Sequence, residues 1–435
     1  MAEREQWKSR LGFILAAVGS AVGLGNIWRF PYEAAANGGA AFLLVDIIAI
    51  LAIGLPAMLV EFSIGRRARK NVVDAYGLDG HKAWKLAGAL ALFTGFWILS
   101  YYSVVGGWVI RYLFGSLTGA YFADPSGYFG VVASGYDALA FAGIFLAIVI
   151  GIVALGVERG IELGNRVMVP SVVLMMVGLA IWAATLPGAG AGYEFFLQPD
   201  FGHLAANWQS IVPAAVGEVL FTLSLGMGAM ITYSSYIDGD ESLVTDGLAI
   251  VTVNTFIGVL AGLVVFPLLF AQGIDPGDPG PGAIFISVAT AFESLPAGNL
   301  LGALFYAVVL IAAISSAISL LEVVVSYFVD NYDIDRRVLS AGLGFASFLI
   351  GIPTALNTGT LGTYDSIASS VLLPLGVFLA TLYVGWVYGR EAIVELSRGT
   401  KERLPVLWLW HVRISLLAAV LMTLVLSFTE FFGSL

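Results

Sequence analysis

Eleven long apolar runs limit what this chain of 435 residues can fold into. They cover residues 11–35, 40–66, 86–118, 137–157, 163–186, 207–237, 242–271, 299–330, 337–355, 364–389 and 408–432. A helix needs about 20 apolar residues to cross a bilayer, so each run is long enough to span one. Only 11% of the residues are charged, against about 25% in soluble proteins. The sequence predicts an all-α polytopic membrane protein, whose runs are numbered span 1 to span 11 in chain order.

The basic residues predict the orientation of these spans. Cytoplasmic loops of membrane proteins carry an excess of Lys and Arg. With the N-terminus inside, all but Arg29 and Arg111 of the 20 Lys and Arg residues fall on the inner side. Eleven spans then place the C-terminus outside. We expect a multi-pass protein of the plasma membrane with a cytoplasmic N-terminus and an extracellular C-terminus.

Glycine clusters interrupt two spans at corresponding positions. Span 1 contains the run 19–26, with three glycines, and span 6 contains the run 222–228, with two. Glycine is about 1 kcal/mol less favourable than alanine in a helix interior, so each cluster predicts a broken helix. Broken helices in matching positions are typical of transporters built from inverted repeats. The placement predicts a short segment 1–10, repeats at 11–186 and 207–389, and span 11 at 408–432.

Interrupted helices offer a specific chemistry within a membrane. Freed carbonyl oxygens attract cations, and the N-termini of half-helices attract carboxylates. Sodium is a hard ion, for which oxygen ligands are suited. The Ser, Thr and Asn residues beside both breaks supply such oxygens without adding charge. A zwitterionic amino acid beside a sodium ion would satisfy both kinds of group.

The motifs around the breaks resemble the neurotransmitter:sodium symporter family, and its bacterial amino-acid members most. The resemblance is carried by residues 10–15, 19–26, 29–31, 37–39, 221–236, 315–316 and 386–389. It implies a LeuT-like fold of five plus five inverted spans, with one extra C-terminal span. It also implies sodium-coupled symport of an amino acid by alternating access.

The resemblance assigns ligands to two sodium sites and to one substrate pocket. Site 1 would use Ala21, Asn26, Thr222 and Asn254, and site 2 would use Gly19, Val22, Ala312, Ser315 and Ser316. The pocket would be formed by Ser20, Ala21, Gly23, Ile98, Tyr102, Phe221, Thr222, Ser224, Met227, Ala317 and Leu320. Because the substrate carboxylate would also contact the ion of site 1, each ligand would raise the affinity for the other.

The pocket residues indicate the class of substrate. Gly23 stands where monoamine carriers of the family place an aspartate, which favours a substrate with its own carboxylate. Ile98, Phe221, Met227 and Leu320 are apolar, so we expect a hydrophobic L-amino acid. Whether the side chain is aromatic or branched aliphatic stays open at this point.

Charged residues near the breaks match the family's gates. Arg29 and Asp365 would form the outer gate. The inner gate would be formed by Arg4, Trp7, Tyr236 and Asp330. Glu61 resembles a family glutamate that binds the freed amides of the broken helices.

Two acids replace the residues with which chloride-dependent members hold their anion. Those members place a Tyr, a Gln and a Ser where this chain has Asp46, Glu218 and Gly258. Carboxylates repel chloride, so we predict a chloride-independent carrier in which Glu218 is the first candidate, and Asp46 the second, for the built-in negative charge. Two neighbouring carboxyl groups can share a proton because each charge disfavours the other. Our hypothesis is that this proton is counter-transported.

Other functions receive less support from the sequence. The chain has no Cys, and no nucleophile–base pair, nucleotide loop or metal cluster is recognisable, so we expect neither an enzyme nor an organic cofactor nor a nucleic-acid partner. The expected partners are the amino acid, two sodium ions and the lipid bilayer, with the oligomeric state left open. A non-transporting amino-acid sensor of the same fold and a proton-driven amino-acid carrier remain as alternatives.

Overall fold

Nine helices that are long and apolar enough to cross a membrane occur among the residues that the computed structural model describes, which are 5–237, 241–274, 282–293, 295–399 and 403–433. They are Ala40–Ala68, Lys82–Thr118, Gly135–Val153, Val157–Ala183, Leu243–Ala271, Gly298–Asn331, Arg336–Leu356, Thr358–Trp386 and Arg403–Thr429. In order, these helices are spans 2, 3, 4, 5, 7, 8, 9, 10 and 11. Each bound lies within six residues of the prediction.

Spans 1 and 6 are the two interrupted helices. Span 1 consists of Arg10–Ala21 and Gly25–Ala36, which are bent by 41° relative to each other. Span 6 consists of Phe201–Thr222 and Ala229–Ser234, separated by an irregular turn. The predicted breaks are therefore confirmed. The bent pair of span 1 brings the count to ten within the described ranges, and span 6 as an eleventh crossing stays a prediction.

Short helices connect several of the spans. They are Val72–Ala75, Pro125–Val132, Gly190–Leu197, Ala283–Glu293 and Gly389–Ser397. All of them lie between spans, so they leave the order of the long helices unchanged.

The spans pack so that both breaks lie inside the bundle. Span 8 is the most deeply buried of the nine long helices and packs along span 3. Spans 4 and 9 pack against each other. The first half of span 1 contacts spans 5, 7 and 8, and the second half of span 6 contacts spans 2 and 8. The breaks are thus shielded from lipid, which is where irregular backbone is tolerated at membrane depth.

The turn in span 6 needs left-handed backbone at three positions. Ser224, Gly226 and Gly228 have φ values of 54°, 79° and 80°. Glycine adopts this conformation readily, whereas a residue with a Cβ pays roughly 1–2 kcal/mol for it. The serine is held there because its N–H donates to Phe221 O at 3.1 Å and its hydroxyl donates to Ser20 O at 2.9 Å.

Span 9 offers a test of how tightly the bundle is packed. A Cβ added at Gly351 would lie 2.4 Å from the backbone oxygen of Ser100 on span 3, whereas one at Gly342 would meet nothing within 4 Å. We expect Gly351→Ala to lower the melting temperature by several degrees, since overpacking costs about 1–3 kcal/mol. Gly342→Ala should leave it unchanged or raise it. Thermal unfolding in detergent, followed by tryptophan fluorescence, measures both; equal melting temperatures would contradict the packing described.

Candidate functional site

The two breaks are joined to each other by polar side chains. The Ser224 hydroxyl of span 6 donates to Ser20 O of span 1 at 2.9 Å. Glu61 of span 2 accepts the N–H of Gly226 through Oε1 at 2.7 Å, while its Oε2 has no hydrogen-bond partner among the described residues. The predicted contact of Glu61 with a freed amide is therefore present. These bonds satisfy groups that the helix would otherwise have paired.

The residues predicted for sodium site 1 lie together between spans 1, 6 and 7. Asn26 Nδ2 donates to Asn254 Oδ1 at 3.0 Å and to Asn254 O at 3.1 Å. The hydroxyl of Thr222 donates to the same Oδ1 at 3.2 Å. Ala21 lines a cavity with Thr222. The cluster offers neutral amide and hydroxyl oxygens, which suit a hard monovalent cation.

The residues predicted for sodium site 2 meet where span 8 faces the break of span 1. The Ser315 hydroxyl lies 2.8 Å from Ala312 O and 3.4 Å from Val22 O. The Ser316 hydroxyl lies 3.3 Å from Gly19 O. The structure thus brings two hydroxyls and three backbone carbonyls to one place. All five residues are buried, so an ion here would exchange its water for protein oxygens.

A small cavity lies beside both clusters. Its lining residues are Ser20, Ala21, Gly23, Gly25, Ile98, Tyr102, Phe221, Thr222, Ser224, Met227, Ser316 and Leu320. Ten of the eleven predicted pocket residues are among them. The exception is Ala317, which is buried but does not line the cavity. One position along a helix turns a side chain by about 100°, so Ser316 faces the cavity instead.

Tyr102 marks the polar end of the cavity. Its hydroxyl accepts the N–H of Leu24 at 3.0 Å, at the start of the second half of span 1. A hydroxyl and a helix N-terminus together suit a carboxylate. Met227 and Leu320 lie among the apolar lining residues. The cavity therefore has one end for an anionic group and apolar walls for a hydrophobic one.

Arg29, predicted for the outer gate, has three acidic partners. Its Nη1 lies 2.6 Å from Glu218 Oε2, its Nη2 lies 3.0 Å from Glu33 Oε1, and its Nε lies 3.5 Å from Asp365 Oδ2. Its guanidinium also lies over the Phe221 ring, 5.3 Å from the centroid. The predicted pair with Asp365 is present, but the shortest contact is to Glu218.

Span 3 connects this cluster to span 10. The Tyr101 hydroxyl donates to Asp365 Oδ1 at 3.1 Å, and Trp97 Nε1 donates to Tyr364 O at 3.1 Å. The rings of Trp97 and Tyr364 stack with centroids 4.1 Å apart. Sequence reasoning did not find these residues. Two pairs of adjacent aromatic residues on span 3, at 96–97 and 101–102, were the available signal.

The predicted inner gate is represented by three of its four residues, because Arg4 lies outside the described residues. Trp7 Nε1 donates to Tyr233 O at 2.8 Å, and its backbone N–H donates to Tyr236 O at 3.2 Å. Asp330 Oδ2 accepts the backbone N–H of Asn71 at 2.9 Å. The segment before span 1 is thereby attached to the end of span 6.

A chain of charges beside this gate was not predicted. The Tyr236 hydroxyl donates to Glu322 Oε1 at 2.7 Å, and Glu322 Oε2 lies 2.6 Å from Arg336 Nη1. Arg336 Nη2 lies 2.6 Å from Glu5 Oε2. Glu322 is fully buried in span 8. A buried acid in a span is costly, and that property was the signal that sequence reasoning overlooked.

Asp46 and Glu218 line a second small cavity with Asn26, Thr222 and Asn254 of the predicted sodium site 1. Asp46 Oδ1 and Glu218 Oε1 are buried without a hydrogen-bond partner among the described residues. The two acids differ in their surroundings, because Arg29 neutralises Glu218. The hydrogen bonds of the described residues include none between the two carboxyl groups.

The chain is similar to known transporters along most of its length. Residues 4–123 and 132–432 match the Sodium:neurotransmitter symporter family. The uncharacterised sodium-dependent transporter YhdH of Bacillus subtilis is 36% identical over 423 residues, covering 93% of both chains. An uncharacterised sodium-dependent transporter of Haemophilus influenzae is 34% identical over 439 residues, covering 94% of this chain and 95% of its own.

A solved structure extends this similarity to three dimensions. MhsT in complex with L-phenylalanine matches with a TM-score of 0.90 and 40% sequence identity, covering 98% of this chain and 100% of that chain. The match confirms the predicted LeuT-like fold.

Gly23 provides a test of the site because two of its neighbours approach its backbone closely. A Cβ there would lie 2.1 Å from Ser316 Oγ and 2.8 Å from Tyr102 Oη. We expect Gly23→Ala to displace Ser316 and to abolish the rise in melting temperature that sodium gives over potassium at equal ionic strength. Gly178→Ala, at an open position on span 5, is the control. Sodium stabilisation that survives in Gly23→Ala would disprove the assigned geometry.

Proposed function

Because this chain belongs to the sodium:neurotransmitter symporter family, and is therefore a sodium-dependent membrane symporter rather than an enzyme, we propose that it carries a hydrophobic L-amino acid into the cell. The observation that carries the proposal is the position of Thr222. This residue lines the cavity that contains Tyr102 and Met227, and it also belongs to the sodium site 1 cluster. A substrate in that cavity would share its surroundings with the ion. Such shared contact makes the binding of each favour the other.

The substrate would bind with its carboxylate near Tyr102 and the ion of site 1. Its side chain would then lie among the apolar residues Ile98, Phe221, Met227 and Leu320. The complex of MhsT with L-phenylalanine supports an aromatic cargo, and Met227 supports some breadth because methionine adapts to different shapes. Leucine-like and aromatic amino acids are therefore the substrates to test first.

Alternating access would use the contacts on either side of the cavity. Separation of Arg29 from Asp365 would open the outer side, and release of Trp7 from span 6 would open the inner side. Both contacts are formed in this structure. With the N-terminus inside, the first opening faces the exterior and the second faces the cytoplasm. Two sodium ions would travel with the substrate, at sites 1 and 2.

Asp46 is the better candidate for the charge that chloride supplies elsewhere in the family. Arg29 already neutralises Glu218 at 2.6 Å, whereas Asp46 has no basic partner among the described residues. Its carboxylate would balance the sodium ion across the second cavity. When that ion leaves, a buried carboxylate without a counter-charge would take up a proton. Return of the empty carrier would then export this proton.

Uptake into proteoliposomes tests the central proposal. We expect labelled L-phenylalanine and L-leucine to accumulate with an inward sodium gradient, and not with potassium or proton gradients. Replacing external chloride with gluconate should leave the rate unchanged. Accumulation driven by protons alone would favour the proton-driven alternative, and saturable sodium-dependent binding without accumulation would favour the sensor.

Asp46→Asn tests the role of the unpaired acid. We expect the variant to need more sodium for half-maximal uptake, to regain activity when chloride is added, and to lose the alkalinisation that a trapped pH dye should report in wild-type vesicles during uptake. Glu218→Gln is the matched control: it removes a partner of Arg29, but the charge of Asp46 remains in the same cavity and would still repel chloride, so chloride should not restore it. An Asp46→Asn carrier indifferent to chloride, with normal sodium dependence, would refute this role.

A further inference from the structure

Four serines connect sodium site 2 with the substrate cavity. This serine cluster consists of Ser20, Ser224, Ser316 and Ser319. Ser316 belongs to site 2, while Ser20, Ser224 and Ser316 line the cavity. Ser319 lies one turn beyond Ser316 on span 8, is fully buried, and does not line the cavity. Its position raises the question of what a hydroxyl does there.

Ser319 gives Ser20 a second attachment to span 8. The Ser316 hydroxyl donates to Ser20 O at 2.9 Å. The Ser20 hydroxyl donates to Ser319 Oγ at 2.7 Å, and the Ser319 hydroxyl donates to Ser316 O at 2.7 Å. Both the backbone and the side chain of Ser20 are thereby fixed to one helical turn. Without the Ser319 hydroxyl, only the backbone contact would remain.

The count of hydroxyl protons fixes the direction of these bonds. Each serine hydroxyl has one proton to donate. The proton of Ser319 is used on Ser316 O, so its oxygen can only accept from Ser20. Ser224 is the other acceptor near Ser20, at a longer distance of 3.1 Å. Ser20 therefore gives its proton to Ser319 and keeps its lone pairs for a donor in the cavity.

We propose that Ser319 is a positioning residue that couples sodium at site 2 to the substrate. An ion at site 2 would engage the Ser316 oxygen, whose proton stays on Ser20 O. The turn that carries Ser316 and Ser319 then holds Ser20 in one orientation at the break of span 1. Because Ser20 is already held in this orientation when the substrate enters the cavity, substrate binding has a smaller entropic cost. This inference rests on the proposed function.

Ser326 is a matched control on the same helix. It is buried, and its hydroxyl donates to Val323 O three residues earlier at 3.0 Å, as the hydroxyl of Ser319 does to Ser316 O. It does not line the cavity, and its hydroxyl makes no hydrogen bond to span 1 among the described residues. Replacing either serine with alanine removes one back-bonded hydroxyl from span 8. Only Ser319→Ala removes an acceptor from Ser20.

Equilibrium binding of labelled L-phenylalanine to the purified full-length chain measures the coupling. The dissociation constant is determined at low and at saturating sodium, with potassium replacing sodium, and the ratio of the two constants is the coupling factor. We expect Ser319→Ala to reduce this factor about three- to tenfold, the effect of one hydrogen bond. Ser326→Ala should retain the wild-type factor, and Ser319→Thr, which keeps a hydroxyl, should restore most of it.

The outcomes separate this inference from the proposed function. Wild-type protein that binds neither L-phenylalanine nor L-leucine in a sodium-dependent way would overturn both. A wild-type coupling factor that persists in Ser319→Ala, or an equal loss in Ser326→Ala, would overturn the role of Ser319 alone. Melting temperatures in potassium show whether each variant is folded. A Ser319→Ala chain that melts like wild type, with weaker coupling, is the supporting result.

Discussion

The structure depends on one constraint. Backbone N–H and C=O groups that lack a partner within their own helix must form hydrogen bonds with other protein groups inside the bilayer. Spans 1 and 6 leave amides and carbonyls unpaired where no water can replace the lost bonds. Glu61 accepts one freed amide, at Gly226. The serine hydroxyls of spans 6 and 8 bind carbonyls of the first break. The spans around the breaks thus carry polar side chains at the depth where lipid would otherwise demand apolar ones.

The residues proposed as ligands of the two sodium ions include no charged side chain. The residues proposed for sites 1 and 2 offer amides, hydroxyls and backbone carbonyls, which would bind a monovalent ion reversibly. The acids Asp46 and Glu218 line the second cavity together with Asn254. A carboxylate in direct contact would bind sodium more tightly and release it more slowly. Neutral ligands with a charge nearby combine selectivity for a cation with reversible binding.

Much of the fold could be predicted because its causes are local. Span bounds follow from hydropathy, and the breaks follow from glycine clusters, so both were placed to within a few residues. The pairing of Arg29 with Glu218 and the partners of Glu322 could not be predicted in the same way. Ion pairs such as Arg29 with Glu218 join residues 189 positions apart in the sequence, and only the packing of spans decides which acid is nearest. Ala317 does not line the cavity for a smaller reason, which is a rotation by one residue on span 8.

The three carboxylates around Arg29 have a consequence for the order of events at the outer mouth. One guanidinium leaves an excess of negative charge among Glu33, Glu218 and Asp365. In a carrier that works as we propose, this field would concentrate metal ions at the entrance, while a zwitterion with no net charge would diffuse in unaided. Sodium would thus arrive first and prepare the pocket. At 1 M salt the Debye length falls to about 3 Å. The attraction of sodium to the entrance would then be screened, and sodium would no longer arrive before the substrate.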